Sequence, residues 1–380
     1  MGPLAGIRVL EVCGIGPIPF VGMMLSDMGA EVIRVERIAG KGDTASLPPA
    51  GILERNRKRI GVDLKAAEGV ALVKALAAQS DVLLEGFRPG VMERLGLGPD
   101  ECLTLNPRLI YGRMTGWGQQ GPMANLGGHD LNYISTLGVT AAIGTSQRPV
   151  PPLNLVGDYG GGAMTMTIGV CAALHERNNS GLGQVIDTAM IDGAALLMNT
   201  VYELAQRGEW RNEREANLLD GGAHFYAVYE TSDGKFMSVG AAEPHFYRLL
   251  LVELGIGEDE EMIARQWESA KWPEYKTRLA SAFRCRTRAE WASQFEGKDA
   301  CCTPVLELDE VASYPHHKAR GLFVKTGEFE GAAPAPRFSR TVSQVTGPAS
   351  DKGECTDDIL ALAGIGPAEA AALKASGAVL

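Results

Sequence analysis

An α/β protein with a parallel sheet is expected from this 380-residue chain, because apolar strand-like segments alternate with helical ones along its first half. Residues 7–12 and 31–36 have the composition of buried strands, and residues 20–28 between them have helical periodicity. A strand, a helix and a second strand in this order form a unit with parallel strands. The alternation continues with a helix at 67–77, strands at 81–85 and 108–114, a helix at 163–176, a strand at 184–189 and a helix at 191–207.

The composition changes after residue 207, where a highly charged stretch follows. Residues 225–230 and 235–240 alternate apolar and polar side chains around Asp233-Gly234, which is typical of a β-hairpin. Charged helical segments continue to about residue 295. We therefore expect a second, smaller body of α+β type.

Composition and charge exclude several classes of protein. With 45% hydrophobic and 22% charged residues the chain is globular, and its net charge of −10 disfavours a nucleic-acid partner. No window approaches the roughly 18 apolar residues of a membrane span, and Glu11 interrupts any signal peptide, so we expect a cytoplasmic protein. The seven cysteines form no C-x-x-C pair and the six histidines no H-E-x-x-H motif, so no disulfide framework or metal site is predicted.

The first strand–helix connection resembles a dinucleotide fingerprint only in part. Gly14 and Gly16 follow the strand, and Glu36 lies near the expected offset. The third glycine is missing, and Pro17 and Pro19 have no N–H to offer a pyrophosphate. Nicotinamide or flavin binding is therefore not expected.

Residues 34–65 are basic within an acidic protein. Eight basic residues stand against four acidic ones: Arg34, Arg37, Lys41, Arg55, Arg57, Lys58, Arg59 and Lys65 against Glu36, Asp43, Glu54 and Asp63. A solvated loop and a polyphosphate site, in which arginine forks match phosphate oxygens, are equally good interpretations of this pattern.

Three further positions could carry proton chemistry, although spacing alone favours simpler roles. His129 follows two glycines, Asp158 precedes Gly160-Gly161-Gly162 at the start of a helix, and Glu243 precedes Pro244. A lone histidine is more often structural, and both carboxylates suit helix N-termini. The glycine run is harder to explain, since each glycine destabilises a helix by roughly 1 kcal/mol. It predicts that something large lies against this segment.

Motifs along nearly the whole chain resemble the superfamily of family III coenzyme A transferases and α-methylacyl-CoA racemases. They are Leu4-Ala-Gly-Ile-Arg-Val-Leu-Glu11, Asp27-Met-Gly-Ala-Glu-Val-Ile-Arg-Val-Glu36, Gly86-Phe-Arg-Pro-Gly-Val91, Met114-Thr-Gly-Trp-Gly118, Gly183-Gln-Val-Ile-Asp187, Cys302-Thr-Pro-Val-Leu306 and Ala319-Arg-Gly321. Gly128-His129-Asp130, Asp158 and Ala242-Glu243-Pro244 are similar to the racemase branch, and most similar to its bacterial members.

The resemblance implies an isomerase that interconverts (2R)- and (2S)-2-methylacyl-CoA thioesters through an enolate in lipid metabolism. His129, polarised by Glu243, and Asp158 are the implied acid–base pair, one on each face of the α-carbon. The implied enolate donor is the amide of Asp130, with the backbone of Gly160–Gly162 as a second candidate. The alternative is a transferase that moves CoA between carboxylic acids and uses Asp158 as a nucleophile.

The resemblance also implies the binding groove and the architecture. Coenzyme A would be bound as part of the substrate, with no separate cofactor, by Arg37, Val62, Asp63, Leu64, Lys65, Gly86, Phe87, Arg88, Arg94, Gly128, Asp130, Leu131, Asn132 and Tyr133. For the acyl tail, Met164, Met166, Met190 and Met198 are candidates, although core packing is the commoner role. The implied fold has a large Rossmann-like domain (1–207, completed by about 320–380), a linker and small α+β domain (208–319), and an interlinked homodimer.

Overall fold

A computed structural model gives the structure of the protein and describes residues 1–12, 14, 16–38, 51–351 and 353–380. The predicted positions Lys41 and Asp43 lie outside these residues. Within them, no helix is long and apolar enough to cross a membrane.

The strands, numbered along the chain, are β1 (Arg8–Val12), β2 (Glu31–Arg37), β3 (Arg57–Val62), β4 (Val82–Glu85), β5 (Ile110–Thr115), β6 (Gly144–Thr145), β7 (Arg148–Pro149), β8 (Val185–Ala189), β9 (Tyr226–Glu230), β10 (Phe236–Gly240), β11 (Cys302–Pro304), β12 (Phe323–Thr326) and β13 (Phe329–Ala332).

The α-helices are α1 (Pro17–Asp27), α2 (Ala67–Ala78), α3 (Val91–Arg94), α4 (Pro99–Leu105), α5 (Asp130–Ser135), α6 (Val139–Ala142), α7 (Thr165–Ser180), α8 (Met190–Leu197), α9 (Asn199–Gln206), α10 (Pro244–Glu253), α11 (Glu260–Ala264), α12 (Trp272–Phe283), α13 (Arg288–Phe295), α14 (Pro315–Arg320), α15 (Thr356–Leu362) and α16 (Pro367–Ser376). Three 3₁₀ turns (Ile52–Glu54, Ser269–Lys271 and Val311–Ser313) and a π-helix (Leu155–Met164) complete the described elements.

The first unit contains the predicted parallel sheet. Its six strands have the order β3-β2-β1-β4-β5-β8, and every neighbouring pair is parallel. Alternate residues of one strand enter different cores: Val9 packs with residues of α1 and α7, and Leu10 packs with residues of α2 and α15. Burial on both faces explains why the central strands β1 and β4 are mostly apolar, and the α/β prediction is confirmed.

Strand β3 was not predicted, because its arginines were interpreted as belonging to a loop or a phosphate site. The guanidiniums of Arg34 and Arg57 instead both pair with the buried carboxylate of Glu11. Arg59 Nε lies 2.8 Å from an oxygen of Glu36, and Arg55 Nε donates to Asp27 at 2.9 Å. Much of the basic excess therefore neutralises buried acids and contributes no free phosphate-binding charge.

The chain divides into two compact units whose boundaries differ from the predicted ones. Unit 1 holds residues 1–137, 153–197 and 315–380, and unit 2 holds 138–152 and 198–314. The short β6–β7 hairpin joins unit 2 because the Arg214 side chain donates to the carbonyls of Ala141 and Thr145. The predicted helix 191–207 is also two helices, separated at Met198.

Unit 2 is an α+β body built on the predicted hairpin. Strands β9 and β10 are antiparallel, and β11 adds to β10. Gly234 in the connecting turn has a φ of 73°, which glycine adopts without steric penalty. Helices of unit 2 pack on one face of this sheet around buried aromatic side chains, including Phe225, Tyr247 and Tyr275.

Candidate active site

A cleft of about 420 Å³ lies at the carboxyl ends of strands of the parallel sheet. Residues that follow β1, β4 and β5 form one side of it, which is where ligands bind in open α/β sheets. The lining residues are Gly16, Pro17, Gly86, Phe87, Arg88, Pro89, Met114, Thr115, Gly116, Trp117, Ala124, Leu126, Gly127, Gly128, His129, Tyr133, Asp158 and Met190.

His129 lines this cleft as the residue that caps α5. Its backbone is extended, with a φ of −135°, and its N–H donates to Oδ1 of Asn132 at 3.1 Å. Its carbonyl oxygen accepts hydrogen bonds from the backbone N–H groups of Asn132 and Tyr133. The backbone of His129 is thus fixed at the helix start, while its side chain is exposed and available to a ligand.

Asp158 lies in the first turn of the π-helix and also lines the cleft. Its carboxylate is half-buried and accepts a hydrogen bond from Nδ2 of Asn154 at 3.3 Å. Burial raises the pKa of Asp158, as does the charge of Asp130, whereas Asn154 and His129 lower it. The neighbouring Tyr159 stacks on Phe20 of α1, with ring centroids 4.7 Å apart, and this contact holds the turn against the sheet layer.

His129 and Asp158 are joined through the backbone that carries them. The N–H of Asp158 donates to Oδ1 of Asp130 at 2.7 Å, across 28 residues of sequence. Because Asp130 directly follows His129, this bond links the start of α5 to the first turn of the π-helix. His129 and Asp158, the two residues that the resemblance implies as an acid–base pair, therefore line one cleft.

The glycine run, for which the sequence predicts a large neighbour, contacts α8. A Cβ on Gly161 would lie 2.5 Å from the amide nitrogen of Ala194, and one on Gly193 would lie 1.9 Å from the carbonyl oxygen of Gly161. The large object against the segment is therefore a helix. Since N–H groups within a π-helix bond carbonyls five residues back, the amides of Gly160–Gly162 are poor candidates for an enolate donor.

The predicted CoA-binding residues divide into two sets. Gly86, Phe87, Arg88, Gly128 and Tyr133 line the cleft. Arg37, Val62, Asp63, Leu64, Lys65, Arg94, Asp130, Leu131 and Asn132 are not among its lining residues. The side chains of Val62 and Leu64 are buried in the core, so only their backbone could approach a ligand.

The remaining predicted residues are Glu243 and the four methionines considered for the acyl tail. Glu243 lies in unit 2 as the exposed residue before Pro244 at the start of α10. Of the four methionines considered for the acyl tail, Met190 lines the cleft, whereas Met166 is fully buried against Gly112 in the core.

Sequence reasoning missed the contribution of the β5 end. Thr115, the last residue of β5, and Gly116 and Trp117 directly after it line the cleft. Trp117 is 8% exposed, and its ring meets Tyr133 edge-on with centroids 4.8 Å apart. The signal was available, because a Gly-Trp-Gly turn after a predicted parallel strand marks the edge where ligands bind.

Glu85 supports the loop on the β4 side of the cleft. This last residue of β4 is 1% exposed. Its Oε2 accepts the N–H of Phe87 at 2.7 Å, and its Oε1 lies 3.3 Å from Nε of Arg113. Burial raises the pKa of Glu85 to about 7, although Phe87 and Arg113 oppose the shift. Glu85 thus links the cleft loop to β5, and the raised pKa of its carboxyl disfavours the ionised form.

We expect the stability contribution of Glu85 to fall as the pH rises from 4.5, its ordinary pKa, to about 7. The folded chain then holds a proton that the unfolded chain has lost, so folding is progressively disfavoured. In Glu85→Gln, which cannot ionise, this dependence should vanish. The check is the urea midpoint of both proteins across this pH range. If the two midpoints change in parallel with pH, Glu85 is not the source of the pH dependence.

Comparisons with known proteins agree with this fold. The α-methylacyl-CoA racemase of Mus musculus is 46% identical over 340 residues, which are 89% of this chain and 87% of that protein. The α-methylacyl-CoA racemase of Homo sapiens is 44% identical over 334 residues, covering 88% and 85%. A crystal structure of a CAIB/BAIF family protein from Brucella suis has a TM-score of 0.81 at 25% identity, covering 95% of this chain and 99% of that one.

Residues 4–354 match the family model described as CoA-transferase family III. This match confirms the resemblance found in the sequence motifs. The chain therefore belongs to CoA-transferase family III.

Proposed function

We propose that this protein is an α-methylacyl-CoA racemase, which interconverts (2R)- and (2S)-2-methylacyl-CoA thioesters. The single observation that carries the proposal is the presence of His129 and Asp158 in one cleft. Racemisation needs one group to remove the α-proton from one face and another to return a proton to the other face. The sequence identity of 46% and 44% to two proteins named α-methylacyl-CoA racemase supports the same activity.

His129 and Asp158 together hold one proton at the start of the reaction, so that one residue is the base and the other is the acid. When imidazole is the base, Asp158 must start protonated, and its raised pKa favours that state. When Asp158 is the base, His129 must start protonated. Loss of the α-proton gives a planar enolate without configuration, and the face that is reprotonated decides the product.

The enolate oxygen needs a donor, because acid–base action contributes only roughly 10² to 10⁴-fold. We assign this role to the N–H of Asp130. It occupies the first position of α5, where an amide has no partner within its own helix. One such donor is worth roughly 10² to 10³ in rate.

Arg88 is the basic residue that lines the cleft, and we propose that it contacts a CoA phosphate. We expect Arg88→Ala to raise KM for acyl-CoA more than it lowers kcat, because a phosphate contact is equally strong in ground and transition states. Arg94→Ala, at a position outside the lining, should change KM less. The reverse ranking, measured by steady-state kinetics, would move the phosphate to Arg94.

We further propose that the protein is an interlinked homodimer in which Glu243 of one copy polarises His129 of the other. Apolar side chains exposed on α7 and α8 support an association, since Ile168, Leu196 and Leu197 are 70%, 63% and 58% exposed. Co-expression of His129→Ala with Glu243→Ala tests the arrangement. Heterodimers would regain one intact site, giving about a quarter of wild-type activity in a random mixture; no recovery would mean that each chain supplies its own Glu243.

Incubation with pure (2R)-2-methylacyl-CoA in deuterated water tests the function. A racemase should produce the (2S) form with deuterium at the α-carbon and without an acceptor acid. Activity that requires a second carboxylic acid, with an unexchanged α-proton, would instead establish a CoA-transferase in which Asp158 is the nucleophile.

A further inference from the structure

We propose that the carboxylate of Asp130 is a positioning residue that holds Asp158 at the cleft and, through its negative charge, favours the protonated form of Asp158. This inference rests on the proposed racemase function and deepens it. It concerns the side chain of Asp130 and is separate from the role of its amide.

Geometry places the Asp130 carboxylate behind Asp158. Asp130 is 5% exposed, and its Oδ1 accepts the N–H of Asp158 at 2.7 Å. A Cβ on residue 157 would lie 2.6 Å from the same oxygen, so only glycine at this position lets the carboxylate approach the backbone. The contact therefore fixes where the Asp158 turn begins relative to α5.

A neutral acceptor would be enough for that hydrogen bond, yet the residue at this position is an acid. Its second oxygen, Oδ2, is buried and has no hydrogen-bond partner among the described residues. Burying such an oxygen without a partner is unfavourable for stability. A role in proton transfer would account for an acid at this position, because a like charge beside Asp158 disfavours ionisation of that carboxyl.

The surrounding groups agree with this electrostatic role. Burial is the largest cause of the raised pKa of Asp158, and the charge of Asp130 adds to it. Among the described residues, His129 interacts electrostatically with Asp158, and Tyr133 interacts with both carboxylates and with Arg88. His129 lowers the pKa of Asp158, so Asp130 acts against the influence of the imidazole on the shared proton.

Two substitutions separate the charge from the hydrogen bond, and both leave the Asp130 amide in place. Asp130→Asn keeps an acceptor and loses the charge, whereas Asp130→Ala loses both. We expect Asp130→Asn to move the acidic limb of the kcat/KM profile to lower pH. Asp130→Ala should in addition lower kcat by about 10²-fold, the effect of a misplaced catalytic group. Equal losses in both variants with an unmoved limb would reduce Asp130 to a structural role and overturn the proposal.

A direct titration makes this test independent of the racemase assignment. The ¹³C resonance of the Asp158 carboxyl, identified by its absence in Asp158→Asn, should titrate at lower pH in Asp130→Asn than in wild type. An unchanged midpoint would overturn the proposal even in an active racemase. A wild-type protein without racemisation would instead refute the proposed function, and the titration would still report whether Asp130 controls the proton of Asp158.

Discussion

Replacement of Asp158 by asparagine should lower racemisation by roughly 10² to 10⁴-fold, the contribution of a general acid–base group. In free energy this is about 3 to 5 kcal/mol of lost transition-state stabilisation. Asparagine has nearly the same shape and can keep its contact with Asn154, so binding of acyl-CoA should persist. The measurement is the rate of inversion of each enantiomer, followed together with deuterium incorporation.

In Asp158→Asn, exchange of the α-proton with solvent should differ between the two enantiomers. With Asp158 removed, His129 can still take and return a proton on its own face. One enantiomer should therefore exchange its α-proton with solvent without inverting, and the other should be inert. His129→Ala should show the complementary preference, since Asp158 then acts alone.

Asp100→Asn is the matched control for this experiment. Asp100 is exposed in the first turn of α4 and does not line the cleft, so the same chemical change there should leave both enantiomers at wild-type rates. Full activity in Asp158→Asn would remove this carboxyl from the mechanism. Exchange of both enantiomers by either single variant would show that one base reaches both faces.

The parallel sheet was predictable because burial on both faces leaves a local trace in the sequence. Strands β1, β2, β4, β5 and β8 are short apolar runs between helical segments. Strand β3 has no such trace, since Arg57 and Arg59 alternate with other residues in a basic stretch. Their partners Glu11 and Glu36 are on other strands, and which residues lie opposite one another is decided by sheet register. Local patterns do not contain that information.

The site was only partly predictable for a similar reason. Spacing alone favours a helix-capping role for Asp158, and nothing in the intervening residues indicates that it returns beside His129. The resemblance supplied that pairing, and the bond from the Asp158 amide to Asp130 shows what maintains it. The glycine run predicted a large neighbour without identifying it, because a close helix contact and a ligand pocket both require the absence of a Cβ.

Replacement of Gly193 by alanine should destabilise the fold and the active site together. The new Cβ would lie 1.9 Å from the carbonyl oxygen of Gly161, which is backbone and cannot rotate away. Relief requires α8 and the π-helix to separate, and overpacking of this kind commonly costs about 1 to 3 kcal/mol. That is a large part of the roughly 5 to 15 kcal/mol by which domains are stable.

The same displacement would reach the cleft, because Met190 at the start of α8 and Asp158 in the π-helix both line it. Gly193→Ala should therefore lower the urea midpoint at a constant m-value and also lower kcat. Gly347→Ala is the control, since a Cβ there meets no atom within 4 Å. Gly161→Ala should resemble Gly193→Ala, and the double variant should lose less than the sum, because both changes open the same contact. An unchanged midpoint in Gly193→Ala would mean that α8 does not pack against the π-helix as closely as this structure has it.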